Sequence, residues 1–221
     1  MKTVAFVPIK LNSERLPLKN IKAFTNGKPL ITYILNTLLT IEELDDIYVY
    51  CSSNEIEKYI PNGIKFLQRD AYYDLSTTKF NEVLSSFAKI INADTYVLTH
   101  ATAPFMSAKS IAEGINKVNK EGYDSAFSAS SLQEFLWKDG KPYNYSLDNI
   151  PRTQDLELLY TETCGLYVYR KDLILNSNRR IGENPYIIPV SKLEACDINT
   201  EEDFYIADAI YNHMRMEGKI M

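Results

Sequence analysis

Cysteines are scarce in this 221-residue sequence, and long apolar runs and an excess of positive charge are absent. The three cysteines are widely spaced and form no CxxC pair, which argues against a disulfide framework and against a zinc site. No apolar run approaches the length of a bilayer-spanning helix, and the first residues lead into a strand-like segment rather than a signal peptide. The formal net charge of −5 argues against broad nucleic-acid binding. We therefore expect a cytoplasmic protein that binds neither membranes nor nucleic acid.

The order of the apolar segments predicts an α/β fold in a single domain, residues 1–221. "VAFVPI", "DIYVYCS" and "TYVLTHA" are typical of buried strands, and "PLITYILNTLLTI", "EVLSSFAKII" and "SIAEGINKVNK" have helical spacing between them. A further amphipathic helix is predicted from "TEEDFYIADAIYNHM" onward. Alternating strands and helices favour a mostly parallel sheet covered on both faces, with binding sites at the carboxyl ends of the strands.

The middle of the chain, residues 130–164 approximately, shows no regular period. This stretch carries the only tryptophan, several tyrosines and proline-containing turns. Large apolar side chains without a periodic element to bury them indicate an interface. We expect an excursion from the sheet that serves as a dimerisation arm in a homodimer.

The loop after the first strand concentrates cations and small polar groups. Its cations are Lys10, Arg15, Lys19 and Lys22, and its polar donors include Asn12 and Ser13. Such a loop can wrap an oligophosphate through charge-assisted hydrogen bonds, although cations between a strand and a helix are also common as solvated surface. The sequence lacks both GxxxxGK[ST] and GxGxxG, which excludes a Walker loop and a dinucleotide fingerprint.

Motifs along nearly the whole chain support a family resemblance. They are "LPLKN" (residues 16–20), "GKPLITY" (27–33), "FLQRDAYYDLSTT", "THATAPF", "FLWK", "PRTQDL", "GLYV" and "CDINTEEDF". In these motifs the chain resembles the cytidylyltransferases that activate acidic keto sugars, especially the acylneuraminate type, to which the CMP-Kdo synthetases are related. The resemblance implies a three-layer, nucleotide-diphospho-sugar-transferase-like (Rossmann-like) fold with a mostly parallel sheet and a protruding dimerisation arm.

The resemblance also implies a CTP site on the basic loop. The residues implied to bind the nucleotide are Lys10, Asn12, Ser13, Arg15, Lys19, Asn20 and Arg69. Of these, Lys10, Arg15 and Lys19 would act catalytically by neutralising charge on the triphosphate, while Mg²⁺ on Asp197 would orient it and stabilise the departing pyrophosphate. The family usually has Arg where this chain has Lys10, so Arg15 is the residue that can supply a bidentate fork.

The sugar side of the site is implied by the remaining motifs. The residues implied to bind the acceptor are His100, Thr102, Lys138, Arg152, Gln154 and Tyr167. Arg152 and Lys138 would pair with the carboxylate of the sugar. His100 replaces a family Gln and Ala103 replaces a family Ser, which alters the pocket. Packing at an interface is the alternative for Tyr167 and Trp137.

The last motif implies a magnesium site. "CDINTEEDF" resembles the family's D-I-D-T-x-x-D, with Asp197 at the first carboxylate position and Asn199 at the second. These two residues alternate along an extended segment, so both can face one Mg²⁺ ion. An amide oxygen brings no charge, which leaves one carboxylate in the site. For Asp203 we expect a helix-start carboxylate rather than a metal ligand.

These implications define the expected reaction. The chain is expected to be a nucleotidyltransferase that uses CTP, Mg²⁺ and an acidic 2-keto sugar, either sialic acid or a related nonulosonic acid, and releases pyrophosphate. A cytidylyltransferase for Kdo or a phosphonate acid is one alternative, and a non-catalytic nucleotide-binding relative is another. No general base is evident in the sequence.

Overall fold

The computed structural model describes residues 1–13 and 15–218. Its strands are β1 (Thr3–Ile9), β2 (Asp46–Cys51), β3 (Lys65–Gln68), β4 (Thr95–Thr99), β5 (Ser125–Leu132), β6 (Trp137–Lys138), β7 (Lys141–Pro142), β8 (Leu159–Arg170) and β9 (Pro185–Pro189). Its α-helices are α1 (Ile31–Leu38), α2 (Phe80–Ile90), α3 (Ala108–Lys120), α4 (Lys171–Ser177) and α5 (Glu201–Met216). Short 3-10 helices cover Lys19–Ile21, Asn54–Tyr59, Ala71–Asp74 and Thr153–Asp155.

Seven strands form one sheet in the order β3-β2-β1-β4-β8-β5-β9. Strands β3, β2, β1 and β4 pair in parallel, and β5 pairs in parallel with β9. Strand β8 runs antiparallel to both of its neighbours, β4 and β5. The predicted mostly parallel sheet is therefore confirmed. The reversed β8 was not predicted, because a strand buried inside a sheet has the same apolar pattern in either direction.

Helices cover both faces of the sheet and create three layers. On one face α1 and α3 contribute buried side chains such as Ile34 and Ile115, and on the other α2 and α4 contribute Phe87 and Ile174. The Phe87 ring stacks on Phe6 of β1 with the centroids 4.0 Å apart. Burying each such side chain stabilises the fold by about 1.5–3 kcal/mol. The layers hold the carboxyl ends of the parallel strands in place at one edge.

The excursion from the sheet occupies residues 133–158, between β5 and β8. The ends of the expected range 130–164 belong to these two strands. Within it, β6 and β7 form a separate two-stranded ribbon. Large apolar side chains of this segment face outward: Trp137 is 58% exposed, Tyr143 63% and Ile150 61%. We call residues 133–158 the arm.

No helix in the described part of the chain combines the length and the apolarity that crossing a membrane requires.

Candidate active site

A cavity of about 520 Å³ opens at the carboxyl ends of the central strands, where a ligand site is expected in this class of sheet. It is lined by Pro8, Lys10, Ser13, Arg15, Lys19, Asn20, Ser76, His100, Ala101, Thr102, Cys164, Asp197 and Asn199. The structure thus brings together nine of the residues that the sequence predicted: Lys10, Ser13, Arg15, Lys19, Asn20, His100, Thr102, Asp197 and Asn199.

The basic loop folds back on itself and buries one of its cations, Lys19. The side-chain amide of Asn20 donates to the carbonyl of Lys10 at 2.9 Å, which closes the loop on itself. Lys19 is only 7% exposed, and its Nζ donates to the carbonyl of Ile198 at 2.7 Å. Burial lowers the pKa of the Lys19 ammonium; Asp197 opposes this shift and Arg15 adds to it. Lys10, Arg15 and Lys19 therefore form a cationic wall, and Asp197 is the carboxylate beside it among the described lining residues.

Lys22, the fourth cation of the loop, lies outside this cavity. Its Nζ pairs with Glu201 at 3.1 Å and lies 4.6 Å from the centre of the Phe204 ring. Lys22 therefore ties the loop to α5.

Asp197 and Asn199 flank Ile198 in the sequence. Ile198 is fully buried, whereas both of its neighbours line the cavity. Ile198 is held by its N–H, which donates to the carbonyl of Thr102 at 2.9 Å. The expectation that residues 197 and 199 share one face is confirmed. The Asn199 amide nitrogen donates to Asp197 Oδ2 at 2.6 Å, so the two side chains contact each other directly.

The donor set of this pair fits a magnesium ion that is held mainly by nucleotide and water. Mg²⁺ in phosphoryl-transfer sites is commonly bound by one or two carboxylates together with substrate phosphates. Asp197 supplies one carboxylate, and rotation of the Asn199 amide exchanges its nitrogen for its oxygen at the same position. No group of three or more His, Cys, Asp or Glu side chains within residues 1–13 and 15–218 could hold a metal by itself.

Asp203 caps helix α5. Its carboxylate accepts the backbone N–H groups of Asn199 and Thr200 at 2.9 and 2.8 Å, and Thr200 Oγ1 accepts the N–H of Asp203 in return. This reciprocal arrangement is a capping box. The two backbone hydrogen bonds are the main causes that lower the Asp203 pKa. The expected helix-start role of this residue is confirmed.

His100 follows the end of β4 and lines the same cavity as the basic loop. Burial lowers the pKa of this imidazole to about 4, the nearby Arg180 charge adds to the shift, and Asp197 opposes it. The His100 ring packs against Phe80 with the centroids 5.4 Å apart. At neutral pH His100 is therefore uncharged, and it can accept a hydrogen bond from a ligand hydroxyl.

Cys164 enters the cavity through a bulge in β8. Residues 163–166 lie opposite Ser128 alone, and Cys164 has a left-handed backbone with φ 58°. The Ser128 hydroxyl holds the bulge by bonding the Thr163 hydroxyl at 2.6 Å and accepting the N–H of Leu166 at 3.1 Å. Gly165 permits the close packing, since a Cβ there would lie 2.8 Å from Met106 Cε. The sequence analysis missed Cys164 as a lining residue.

The structure leaves six of the predicted residues outside the cavity lining: Asn12, Arg69, Lys138, Arg152, Gln154 and Tyr167. Arg69 is only 4% exposed, donates to the carbonyl of Ile9 at 2.8 Å and pairs with Asp74. It therefore braces the base of the basic loop. Its buried Nε–H has no hydrogen-bond partner among the described residues.

The predicted acceptor residues of the arm face solvent within this chain. Arg152 has a side chain that is 72% exposed, and it uses Nε and Nη2 in a two-point contact with Asp155 at 2.7 and 2.9 Å. Lys138 and Gln154 are exposed as well. Tyr167, in contrast, is fully buried in β8, and its hydroxyl donates to Glu162. Tyr167 therefore packs in the core of this chain rather than at an interface, which was the alternative for it.

The sequence is similar to a protein family and to several known proteins. A sequence model of a family described as "Cytidylyltransferase" matches residues 4–217. The N-acylneuraminate cytidylyltransferase of Oncorhynchus mykiss is 26% identical over 181 residues, which are 77% of this chain and 41% of that protein. The pseudaminic acid cytidylyltransferase of Campylobacter jejuni subsp. jejuni serotype O:2 is 23% identical over 229 residues, 96% of this chain and 98% of the relative.

The solved structures confirm the fold that the resemblance implied. CMP:2-keto-3-deoxy-manno-octonic acid synthetase complexed with CTP has a TM-score of 0.72 at 14% identity, with 96% of this chain and 99% of that chain covered. The chain spans only 41–52% of the first N-acylneuraminate relatives that it matches. The family model, in contrast, covers almost the whole sequence. The chain belongs to the cytidylyltransferase family.

Proposed function

We propose that this chain transfers CMP from CTP to an acidic 2-keto sugar, sialic acid or a related nonulosonic acid, and releases pyrophosphate. The observation that carries the proposal is the cavity in which Lys10, Arg15 and Lys19 face Asp197 at the carboxyl edge of the sheet. The names of the relatives, N-acylneuraminate and pseudaminic acid cytidylyltransferases, support the sugar class.

In this proposal the basic loop binds the triphosphate. Lys10, Arg15 and Lys19 neutralise the phosphate charges through charge-assisted hydrogen bonds, and Ser13 and Asn20 add neutral donors. Arg69 keeps the loop in position from below through its hydrogen bond to the carbonyl of Ile9. A Mg²⁺ ion held by Asp197 and the amide oxygen of Asn199 would supply further neutralisation of the phosphates when bound.

In this proposal the acceptor binds beside His100 and Thr102, which also line the cavity. Its anomeric hydroxyl attacks the α-phosphorus of CTP and forms an O–P bond. The bond from the α-phosphorus to the oxygen that bridges to the β-phosphate breaks, pyrophosphate leaves with that oxygen, and the hydroxyl proton passes to water. Neutral His100 accepts a hydrogen bond from the hydroxyl and orients it for the attack. The cationic wall stabilises the charge that develops on the departing pyrophosphate.

We further propose that the arm docks against a second copy of the chain. The exposed Trp137, Tyr143 and Ile150 support this proposal, because apolar surface of this kind marks an interface. In a dimer the arm residues Lys138, Arg152 and Gln154 can reach the site of the neighbouring copy. Sedimentation at micromolar protein concentration should show a dimer; a monomer would contradict the proposal.

A panel assay tests the proposed function. The protein is incubated with Mg²⁺, CTP and one acid at a time: sialic acid, pseudaminic acid, Kdo or a phosphonate acid. Pyrophosphate should appear with a nonulosonic acid and CTP, and not with ATP or GTP or without an acceptor. If pyrophosphate is released only with Kdo or only with the phosphonate acid, that acid replaces the nonulosonic acid as the assigned substrate. If no acid gives pyrophosphate, the proposal is contradicted.

A further inference from the structure

A second cavity, of about 530 Å³, lies beside the candidate active site. It is formed by the start of α2, the segment that follows α4, and one residue of β8. Its lining residues are Lys79, Phe80, Asn81, Glu162, Asn178, Arg179, Arg180 and Ile181. Phe80 links the two cavities, because its ring also packs against His100 of the first cavity at 5.4 Å.

Arg180 is held rigidly in the wall of this second cavity. Its guanidinium lies 4.1 Å from the centre of the buried Tyr167 ring and 5.5 Å from the centre of the Phe80 ring. Its Nη2 donates to the Tyr167 hydroxyl at 3.1 Å and lies 3.4 Å from a Glu162 oxygen. Contacts of this kind fix the plane of a guanidinium without using all of its donors.

The donors of Arg180 are underused when they are compared with those of its neighbours. Among the described residues, the hydrogen bonds of Arg180 involve Nη2 alone. Arg179 pairs with Glu183 and donates to the carbonyl of Gly182 at 3.3 Å. The cations Lys79, Arg179 and Arg180 outnumber the carboxylates of Glu162 and Glu183 around this cavity. Arg180 therefore presents free N–H groups in a locally positive setting.

Arg180 lies close to the first cavity, because its guanidinium and the His100 ring lie against the same Phe80 ring, at 5.5 and 5.4 Å from its centre. The Arg180 charge contributes to the low pKa of His100, which lines the first cavity. In a 2-keto acid sugar the carboxylate is attached to the anomeric carbon itself. A bound acceptor must therefore place this carboxylate next to the attacking hydroxyl, at the boundary between the two cavities.

Resting on the proposed function, we infer that Arg180 binds the carboxylate of the acceptor sugar within the same chain, with Tyr167 as the residue that positions it. Arginine matches a carboxylate with two parallel N–H bonds, and Arg180 has the donors available for them. According to this inference, Arg180 and not Arg152 binds the carboxylate. The guanidinium of Arg152 already makes two hydrogen bonds to Asp155.

The test compares Arg180→Ala and Arg180→Lys with Arg179→Ala, a control from the same cavity wall. KM for the acceptor and Kd for CTP are measured for each variant, with the acid sugar and with its carboxamide. Arg180→Ala should raise the acceptor KM about 10- to 100-fold and leave the CTP Kd within about twofold. Arg180→Lys should show a smaller loss, and Arg179→Ala should resemble the wild type. With the carboxamide, Arg180→Ala and the wild type should converge.

Several results would overturn the inference. An acceptor KM that is unchanged in Arg180→Ala would do so, as would equal losses for CTP and acceptor, which indicate a structural arginine. If Arg180→Ala does not fold, the test relies on Arg180→Lys. An unchanged acceptor KM in that variant would also contradict the inference. If Arg152→Ala raises the acceptor KM strongly and neither Arg180 variant does, the arm and not Arg180 binds the carboxylate. A wild-type protein that uses no acid sugar contradicts the proposed function itself, and the inference with it.

Discussion

Removal of the Lys19 ammonium should weaken CTP binding more than any other single change in the basic loop. Lys19 is almost fully buried, its Nζ is fixed 2.7 Å from the carbonyl of Ile198, and it faces the cavity beside Asp197. The cost of burying this charge is therefore already met in the folded protein. A charged hydrogen bond contributes about 1.5–3 kcal/mol, which corresponds to roughly 10- to 150-fold in Kd.

Lys19→Met and Lys19→Ala separate the charge from the packing of the side chain. Both variants remove the phosphate contact, while methionine keeps most of the buried stem. Both also leave the Ile198 carbonyl without this donor, so some loss of stability, on the order of 1–3 kcal/mol, should accompany the change. Thermal unfolding measures that loss independently of nucleotide binding.

Isothermal titration of CTP in the presence of Mg²⁺ is the decisive assay. Lys22→Ala is the matched control, because Lys22 lies on the same loop but pairs with Glu201 outside the cavity. The control should bind CTP like the wild type, whereas both Lys19 variants should bind it at least tenfold more weakly. A folded Lys19→Met protein with wild-type CTP affinity would refute the assignment of this cavity to the triphosphate.

Three further predictions concern the walls of the cavity. In NMR titrations of the free protein, with the signal of His213 as the second histidine reference, His100 should titrate near pH 4, and bound CTP should raise that midpoint because phosphate charge favours the imidazolium. Since the unfolded chain takes up this proton near pH 6.5 and the folded protein only near pH 4, the free energy of unfolding should fall as pH drops through that window. Asp197→Asn should nearly abolish turnover in a folded protein, whereas Asn199→Asp should lower the Mg²⁺ concentration for half-maximal rate; identical magnesium titrations in all three proteins would rule out the metal role. Gly165→Ala should destabilise the protein by about 1–3 kcal/mol in denaturant titrations, because the added Cβ would lie 2.8 Å from a neighbouring side chain; an unchanged midpoint would contradict the packing described for the β8 bulge.

Local patterns in the sequence predicted most of the scaffold and the position of the basic loop, and the family resemblance singled out Asp197 and Asn199. Continuous apolar runs predicted β1, β2 and β4, and helical spacing predicted α2, α3 and α5. The end of β1 then placed the basic loop at the edge of the sheet, and alternation placed Asp197 and Asn199 on one face. Each of these conclusions depends on residues that are close together in the chain.

Features that depend on distant contacts were not predictable in the same way. Cys164 reaches the cavity because Ser128, on another strand, holds the β8 bulge. Arg180 follows another arginine in a loop, a pattern typical of solvated surface, and only its packing on Tyr167 distinguishes it. The predicted roles of Lys138 and Arg152 depend on where the arm lies relative to a second chain, so they stay predictions.

The central claim, CMP transfer to an acid sugar, is tested most directly by ³¹P NMR of the protein with CTP, Mg²⁺ and a nonulosonic acid. The triphosphate signals should decline while a CMP phosphodiester and pyrophosphate appear in equal amounts, and no change should occur when the acceptor is left out. CTP that persists unchanged with every acid sugar offered, or that is hydrolysed to CMP without a phosphodiester product, would contradict the proposed reaction.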